Sequence, residues 1–186
     1  MKDYIKIIGA GGKRHKNDFY PTPPECTTAL VDFLENHFLL RKGDSIWEPA
    51  CGNNAMVDVF KKRGYVVHGT DIEQGQNYLT GSLGEDFDWI ITNPPFSLAK
   101  EFIEKSIAEG KPFALLLKSQ YWHSSKRLKL FKDHQPAYVL PLTWRPDFTG
   151  GGNSLLDMMW VVWIGKSSVT TYIPLSKPNE SEVQGE

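Results

Sequence analysis

The chain has 186 residues, 40% hydrophobic and 23% charged, and its 21 Lys and Arg side chains nearly balance its 22 Asp and Glu. That length fits one globular domain with a real core, and the balanced charge excludes a uniformly basic, histone-like nucleic-acid binder. No apolar run approaches the roughly 20 residues of a membrane span, and no secretory signal opens the chain, so we expect no membrane partner.

Strands and helices alternate along the chain, which favours a mostly parallel α/β sheet. A basic N-terminal segment, residues 1–17, precedes a helix in which Leu30, Phe33, Leu34 and Phe38 follow helical spacing. A strand over 45–48, a helix around 56–60 that Gly64 ends, and a strand over 65–70 come next.

The second half of the chain continues this alternation. We predict a strand over 87–92, a helix over 98–109, a strand over 113–117, a basic helix-like stretch over 126–132 and a strand over 138–140. The last apolar run, 158–164, is a buried strand that we expect to form an antiparallel hairpin with the strand before it. Residues 1–175 therefore form one domain, and the polar, acidic residues 176–186 form a disordered tail.

Two of the predicted strands end in residues suited to binding a nucleoside. The first runs into the turn Glu48-Pro49-Ala50-Cys51-Gly52, where a glycine lets a ligand approach the backbone and its N–H groups. The next ends at Asp71, and an acid at this place accepts hydrogen bonds from ribose hydroxyls. The alternatives are an ordinary strand-to-helix turn for Gly52, and a solvated acid or helix cap for Asp71.

The most specific motif, Asn93-Pro94-Pro95-Phe96, follows the third strand. The side-chain oxygen of Asn93 and the carbonyl of Pro94 can accept both hydrogens of an exocyclic NH2 group. Two fixed acceptors aim the nitrogen lone pair and stabilise the positive charge that develops on the nitrogen during methyl transfer. Phe96 offers a ring on which a base can stack. The alternative is a plain Asn-Pro turn, which is common in proteins.

Together with Thr22-Pro23-Pro24-Glu25 ahead of the glycine turn, these motifs resemble the gamma class of S-adenosylmethionine-dependent DNA adenine-N6 methyltransferases, in particular its small phage-type members. The resemblance covers roughly residues 18–120. It implies a Rossmann-like methyltransferase fold, with a mostly parallel seven-stranded sheet and a C-terminal antiparallel hairpin. It also implies transfer of a methyl group from S-adenosylmethionine to the N6 amino group of a flipped-out adenine in DNA.

The resemblance further implies a role for each matching residue. Those that would hold the cofactor are Tyr20, Thr22, Pro23, Glu48, Ala50, Gly52, Asp71, Ile72, Asn77 and Asn93. Thr22 and Pro23 would hold its methionine end, and Asp71 its ribose, with Ile72 on its adenine. Asn77 stands where such enzymes usually have an acid that reads the adenine amino group, and an amide oxygen accepts that hydrogen bond more weakly. The catalytic residues would be Asn93, Pro94, Pro95 and Phe96.

Neither a metal ion nor a covalent nucleophile is expected. The five histidines show no ligand spacing. Methyl transfer from a sulfonium proceeds by direct attack, so we interpret Cys51 as a small buried residue of the turn. Two cysteines are too few for a disulfide framework, which favours a reducing cytoplasm.

Contact with DNA phosphates needs positive charge near the site, and three places in the sequence supply it. The candidates are Lys13, Arg14 and Lys16 in the N-terminal segment, Lys118, Trp122, Lys126 and Arg127 after the 113–117 strand, and Arg145 beside a glycine-rich loop. The alternatives are a solvated helix face for the second group and a flexible surface loop for the third.

Recognition of a DNA sequence has little room in this chain. Residues 119–155 are the minimal target-recognition region that remains, so we expect relaxed specificity or help from a second subunit, such as a homodimer. RNA bases and protein glutamine are alternative substrates, because similar Asn-Pro-Pro motifs occur in enzymes that resemble RNA methyltransferases and in enzymes that resemble protein glutamine methyltransferases. A non-enzymatic module that binds S-adenosylmethionine is a further alternative, against which the intact Asn93 motif argues.

Overall fold

The computed structural model describes residues 21–151 and 156–179. Predictions for Lys13, Arg14, Lys16 and Tyr20, for the segment 1–17 and for the tail beyond residue 179 lie outside the described residues. The helices are α1 (Pro24–Asn36), α2 (Ala55–Lys62), α3 (Ala99–Glu109) and α4 (Leu128–Asp133). The strands are β1 (Ser45–Glu48), β2 (Val66–Gly69), β3 (Trp89–Thr92), β4 (Phe113–Lys118), β5 (Tyr138–Pro141), β6 (Met158–Trp163) and β7 (Thr171–Tyr172).

The strands form one sheet in the order β2-β1-β3-β4-β6-β5-β7. Strands β2, β1, β3 and β4 are parallel neighbours, whereas β6 runs antiparallel to both β4 and β5. This mostly parallel, seven-stranded sheet with an antiparallel β5–β6 hairpin confirms the predicted fold class. The chain leaves β1 on one side to form β2 and returns on its other side to form β3. A crevice therefore opens at the carboxyl ends of β1 and β3, where open α/β sheets bind ligands.

Each face of the sheet carries its own hydrophobic core. Alternate residues of one strand point to opposite faces, so Ile46 joins the core under α1 and α2 while Trp47 joins the core under α3. In β3, Ile91 likewise joins the core under α1 and α2, and Ile90 joins the core under α3. The central strands are buried on both faces, which explains why they read as continuous apolar runs in the sequence.

The first helix ends earlier than its apolar spacing predicts, so the assignment of Phe38 to the helix is wrong. Phe38 takes a left-handed backbone conformation (φ 57°) and its side chain is 82% exposed. Its N–H donates to the Glu35 carbonyl at 3.0 Å, and the Leu39 N–H donates to the Leu34 carbonyl at 2.9 Å. This pair of bonds is a Schellman motif, which turns the chain so that Leu40 fills the core instead.

The seventh strand, the edge strand β7, has no sequence signal of its own, so its position in the chain could not be predicted. Both of its residues are exposed, so it lacks the alternation that marks a half-buried strand. Backbone bonds attach it beside β5: the Thr171 N–H donates to the Ala137 carbonyl at 2.8 Å, and the Ile173 N–H to the Val139 carbonyl at 3.0 Å. Just beyond it, Leu175 bridges to Leu142 and is buried, so regular structure reaches the start of the predicted tail.

Candidate active site

A cavity of about 510 Å³ opens at the carboxyl ends of β1, β2 and β3. The segments that follow these three strands form most of its wall, and residues 21–22 and Phe102 of α3 complete it. The predicted site residues that line it are Thr22, Glu48, Ala50, Gly52, Asp71, Ile72, Asn77, Asn93, Pro94, Pro95 and Phe96. Pro23 stands next to this wall as the residue that precedes α1.

The glycine turn and Asp71 are joined directly. Gly52 adopts a positive φ of 50°, and its N–H donates to Oδ2 of Asp71 at 2.9 Å. The other carboxylate oxygen, Oδ1, accepts from the Glu73 N–H at 2.9 Å and so caps the short 3-10 helix Ile72–Gln74. Asp71 is thus a helix cap, as its alternative interpretation predicts. It also lines the cavity, where a carboxylate has lone pairs left to accept from a ligand.

Glu48 is a buried carboxyl group in the cavity wall. Its side chain is about 1% exposed, and Oε1 accepts from the Thr92 hydroxyl and from the Ala50 N–H at 3.1 Å. Its other oxygen, Oε2, is buried and has no partner among the residues that the structure describes. Burial, helped by the nearby Asp71 carboxylate, raises the pKa of Glu48 to about 8. The group is therefore protonated at neutral pH until a cation or a donor reaches Oε2.

Asn93 is oriented by a residue from a distant part of the chain. Its Nδ2 donates to the hydroxyl Oγ1 of Thr22 at 3.0 Å, and Thr22 itself is only 5% exposed. The Asn93 Oδ1 atom is buried without a partner in the described part of the chain. The amide of this cavity-lining residue thus keeps one buried acceptor, and an N–H group of a ligand that reached it would satisfy it.

Phe96 and the two prolines extend the cavity wall beyond Asn93. Pro94 is buried and Phe96 is half-buried, with its ring packed against the core under α1. The N–H of Leu98 donates to the Pro95 carbonyl at 2.9 Å, which closes the short 3-10 helix Phe96–Leu98. The motif is thus a rigid turn with an aromatic ring at the cavity.

Ile72 and Asn77 form an exposed rim on the β2 side. Ile72 is a large apolar residue of the cavity lining and is 60% exposed. The Asn77 Oδ1 accepts from the Leu79 N–H at 3.0 Å, so part of its acceptor capacity is used within its own turn. Asn77 belongs to no strand, and the next residue, Tyr78, is buried with its hydroxyl 2.7 Å from that of Ser106.

Cys51 behaves as the buried residue that the sequence suggested. It is 7% exposed, and burial together with the Glu48 and Asp71 carboxylates raises its pKa to about 11. A thiol with so high a pKa is a poor nucleophile. Among the described residues no group of three His, Cys, Asp or Glu side chains is placed to hold a metal ion, and no helix is both long and apolar enough to cross a bilayer.

Several of the described nucleic-acid-binding candidates contact other protein groups. Arg145 forms an ion pair with Asp157 at 2.8 Å. Arg127 donates to the Tyr121 carbonyl at 2.6 Å and lies over the Tyr121 ring. Trp122 is half-buried against Phe131, whereas Lys126 is exposed. Lys118 lies next to Phe96.

Sequence reasoning missed three contributions to the site. The Thr22–Asn93 bond joins residues far apart in sequence and left no signal. Phe102 lines the cavity, and only its place on the apolar side of the predicted 98–109 helix could have pointed to it. The interaction of Glu48 with Thr92 depends on the pairing of β1 with β3, which spacing alone does not give.

The sequence matches no protein-family model and no curated protein. The fold is similar to that of a type I restriction-modification methyltransferase subunit of Streptococcus thermophilus (TM-score 0.62, 10% identity, 89% of this chain and 51% of that one). It is also similar to a proposed class I S-adenosylmethionine-dependent methyltransferase of Listeria monocytogenes, with a TM-score of 0.62 and 17% identity. That match covers 96% of this chain and 71% of the Listeria protein. A third neighbour is a proposed RNA methyltransferase of Pyrococcus horikoshii, with a TM-score of 0.58 and 12% identity. That match covers 89% of this chain and 98% of the Pyrococcus protein.

This chain spans about half the length of the Streptococcus subunit but nearly the whole length of the Pyrococcus protein. At these identities the likeness concerns the fold. The chain has the fold of the class I S-adenosylmethionine-dependent methyltransferases.

Proposed function

We propose that the protein transfers a methyl group from S-adenosylmethionine to the exocyclic N6 amino group of adenine in DNA. The observation that carries this proposal is the Asn93 side chain. It is anchored to Thr22 through Nδ2, carries an unpartnered buried acceptor at Oδ1, and is followed by an aromatic ring on the same cavity. A fixed amide acceptor beside an aromatic ring suits a flat, amine-bearing base.

The residues of the cavity fit S-adenosylmethionine by their chemistry. The unpartnered Oε2 of Glu48 would take the cationic amino group of the methionine part, which would also draw the proton from this carboxyl. Asp71 would accept from the ribose hydroxyls, and the exposed Ile72 would cover one face of the adenine. When bound, the cofactor supplies an electrophilic methyl group on a sulfonium centre.

The chain's own residues would prepare the acceptor amine. Oδ1 of Asn93 and the Pro94 carbonyl would each accept one N–H of the amine, which directs the nitrogen lone pair into the cavity. Both acceptors gain strength as positive charge develops on that nitrogen, so they stabilise the transition state more than the ground state. Phe96 would hold the base by stacking.

DNA is the proposed substrate because of the Thr22-Pro23-Pro24 and Asn93 motifs and because a restriction-modification subunit is a fold neighbour. A base in a duplex would have to be flipped out to reach Asn93. RNA is the second candidate, favoured by the Pyrococcus neighbour that this chain covers almost completely.

We further propose that target specificity is relaxed or that a second subunit, such as a second copy of this chain, assists. The region 119–155 includes β5, which belongs to the sheet, so the segments around it are what remain for contacting DNA. Sequencing of methylated DNA would reveal the motif context, and a long, strict site read by the monomer would overturn this view.

The decisive experiment offers labelled S-adenosylmethionine with duplex DNA, single-stranded DNA, RNA and a glutamine-containing peptide. We expect N6-methyldeoxyadenosine after digestion of the DNA, and its loss in Asn93→Ala. The matched control is Asn36→Ala, which removes an exposed amide at the end of α1. Label found only in RNA or peptide would refute the DNA assignment, and no transfer at all would support a binding module instead.

We place this activity in the cytoplasm. Both cysteines of the chain, Cys26 and Cys51, are buried free thiols, which fits a reducing compartment. Fractionation of the host cell, with immunodetection of the protein, tests this.

A further inference from the structure

Asn77 is anchored at the rim of the cavity by the turn that it opens. It lines the cavity and is exposed, but the next residue, Tyr78, is only 3% exposed, with its hydroxyl 2.7 Å from that of Ser106. The Asn77 carbonyl accepts from the Thr80 N–H at 3.2 Å and from the Gly81 N–H at 2.8 Å. The backbone of Asn77 is therefore held in place although its side chain is in contact with solvent.

The side-chain amide of Asn77 is oriented by the same turn. Its Oδ1 atom accepts from the Leu79 N–H at 3.0 Å, which is an Asx turn, a bond from an asparagine oxygen to the backbone two residues later. A backbone N–H can only donate, so the amide atom that it meets is the oxygen, and Nδ2 is the other arm of the amide. Nδ2 has no hydrogen-bond partner among the described residues. Both acceptors of Asn77 are thus engaged within the turn, whereas its two side-chain N–H donors are left for a ligand.

The two glutamines of this rim are not oriented in this way. Gln74 and Gln76 also line the cavity and are exposed, but in the described part of the chain no hydrogen bond holds either side chain. A free glutamine loses side-chain entropy when it is ordered on a ligand, whereas the turn holds the amide of Asn77 before a ligand arrives. Asn77 is therefore the amide of the rim that is prepared for binding.

The proposed cofactor brings a purine to this rim. Asp71 would accept from the ribose hydroxyls and Ile72 would cover one face of the adenine, and Asn77 lines the same cavity. The edge of adenine offers two kinds of polar group, a 6-amino group that donates and ring nitrogens that accept. A carboxylate suits only the amino group. The unpartnered N–H donors of Asn77 suit a ring nitrogen.

We propose that Asn77 binds the purine of the cofactor by donating an N–H to a ring nitrogen, and that it does not select for the 6-amino group. The Asn77 oxygen, which the family resemblance would pair with that amino group, is bonded to the Leu79 N–H instead. Asn77 is thereby a specificity-determining residue, and the site accepts a cofactor whose purine lacks the amino group. This inference rests on the proposed function, since it concerns the cofactor part of the same cavity.

The test measures the binding of two ligands to the full chain by calorimetry. One is S-adenosylhomocysteine, and the other is its analogue with purine riboside in place of adenosine, which lacks only the 6-amino group. We expect the wild type to bind the two with affinities within about threefold of each other. Asn77→Asp keeps an oxygen for the Leu79 N–H but replaces the donors with an acceptor, so it should prefer S-adenosylhomocysteine by about tenfold or more.

Two further variants separate the side-chain donors from the turn and from charge. Asn77→Ser keeps an oxygen that can accept from the Leu79 N–H but lacks the NH2 group, so both affinities should fall by about threefold to tenfold while their ratio stays the same. Gln76→Glu adds a negative charge to the same rim at a side chain that no turn orients, and it should keep the wild-type ratio.

A wild type that binds the analogue tenfold or more weakly than S-adenosylhomocysteine would overturn the inference. An Asn77→Asp variant that keeps the wild-type ratio would overturn it as well. A wild type that binds both ligands as expected but methylates no nucleic acid would support the inference and overturn the proposed function. Binding of neither ligand would overturn both.

Discussion

The side chains of Thr22 and Asn93 are joined by a hydrogen bond of 3.0 Å, with Nδ2 of Asn93 as the donor and the Thr22 hydroxyl as the acceptor. Thr22 lies just before α1, and Asn93 follows β3, so this bond ties the entrance of the first helix to the centre of the sheet. It engages Nδ2 as the donor and leaves the buried Oδ1 as an acceptor that has no partner among the described residues. Thr22 therefore positions Asn93, in addition to any contact it makes with a cofactor.

Removal of the Thr22 hydroxyl should reduce catalysis more than cofactor binding. Thr22→Val keeps the side-chain shape but removes the acceptor, so the Asn93 amide loses its fixed orientation. A buried hydrogen bond with a net value of about 1 kcal/mol corresponds to a fall in kcat of roughly fivefold to tenfold. The measurements are kcat for methyl transfer and cofactor affinity by calorimetry, and Thr22→Ser should recover most of the activity.

The control for this prediction is Thr27→Val. The Thr27 hydroxyl is buried in α1 and has no partner among the described residues, so its removal should leave kcat unchanged and cost no stability. If Thr22→Val weakened cofactor binding and left kcat intact, Thr22 would be a cofactor ligand only.

Much of the site could be predicted from the sequence because its elements are local. The Glu48–Gly52 turn, Asp71 and the Asn93–Phe96 turn each follow a strand whose apolar run is unmistakable, and parallel strands bring their carboxyl ends together. The apolar run over 158–164 likewise indicated a buried strand, which β6 is.

What could not be predicted depends on contacts between distant segments or on structure without a pattern. The apolar periodicity predicts that the first helix extends to Phe38. Periodicity alone cannot show that a Schellman turn ends the helix and places Leu40 in the core instead. Strand β7 has two exposed residues and so no alternation. The charge of Arg127 predicts a phosphate contact, but it cannot show that the guanidinium lies over the Tyr121 ring.

The stability of the fold should fall as the pH rises from about 4.5 to about 8, in part because of Glu48. Burial raises the pKa of this carboxyl from its ordinary value of 4.5 to about 8 in the folded protein. Between these values the unfolded chain releases the proton and the folded protein retains it, so the unfolded state is increasingly favoured. Glu48→Gln lacks this ionisable group. The free energy of unfolding of Glu48→Gln should therefore increase relative to that of the wild type as the pH rises from about 4.5 to about 8.

Denaturant unfolding of both proteins at several pH values measures this difference. The matched control is Glu35→Gln, because hydrogen bonds from Lys42 and Tyr65 outweigh the effect of burial and lower the pKa of Glu35. Glu35 loses its stabilising effect only as the pH falls through its lowered pKa, so its replacement should not alter the slope above pH 4.5. Parallel curves for the wild type and Glu48→Gln would contradict the raised pKa.

Gly69→Ala should distort the part of the cavity wall that Cys51 forms. A Cβ atom on Gly69 would lie 3.0 Å from Cγ2 of Val57 and 3.3 Å from Cβ of Cys51, tighter than most packed contacts, so these neighbours would have to shift. Since Cys51 belongs to the cavity turn, we expect a loss of about 1–3 kcal/mol of stability and weaker cofactor binding. Thermal unfolding and calorimetry measure the two effects. In Gly151→Ala the nearest described atom, Thr149 Oγ1, would be at an ordinary 3.5 Å, and an equal loss there would show that the Gly69 effect is not steric.

Arg127 and Lys126 are neighbours that should respond differently to replacement by alanine. The Arg127 guanidinium lies 4.0 Å from the centroid of the Tyr121 ring and donates to the Tyr121 carbonyl, so its loss should lower the free energy of unfolding by about 1–2 kcal/mol. Lys126 is exposed, and its replacement should change stability by less than about 0.5 kcal/mol. If Lys126 contacts a phosphate, Lys126→Ala should instead reduce the salt slope of DNA binding by roughly 1. Equal stability losses in the two variants would show that the Tyr121 contacts of Arg127 contribute nothing to the fold.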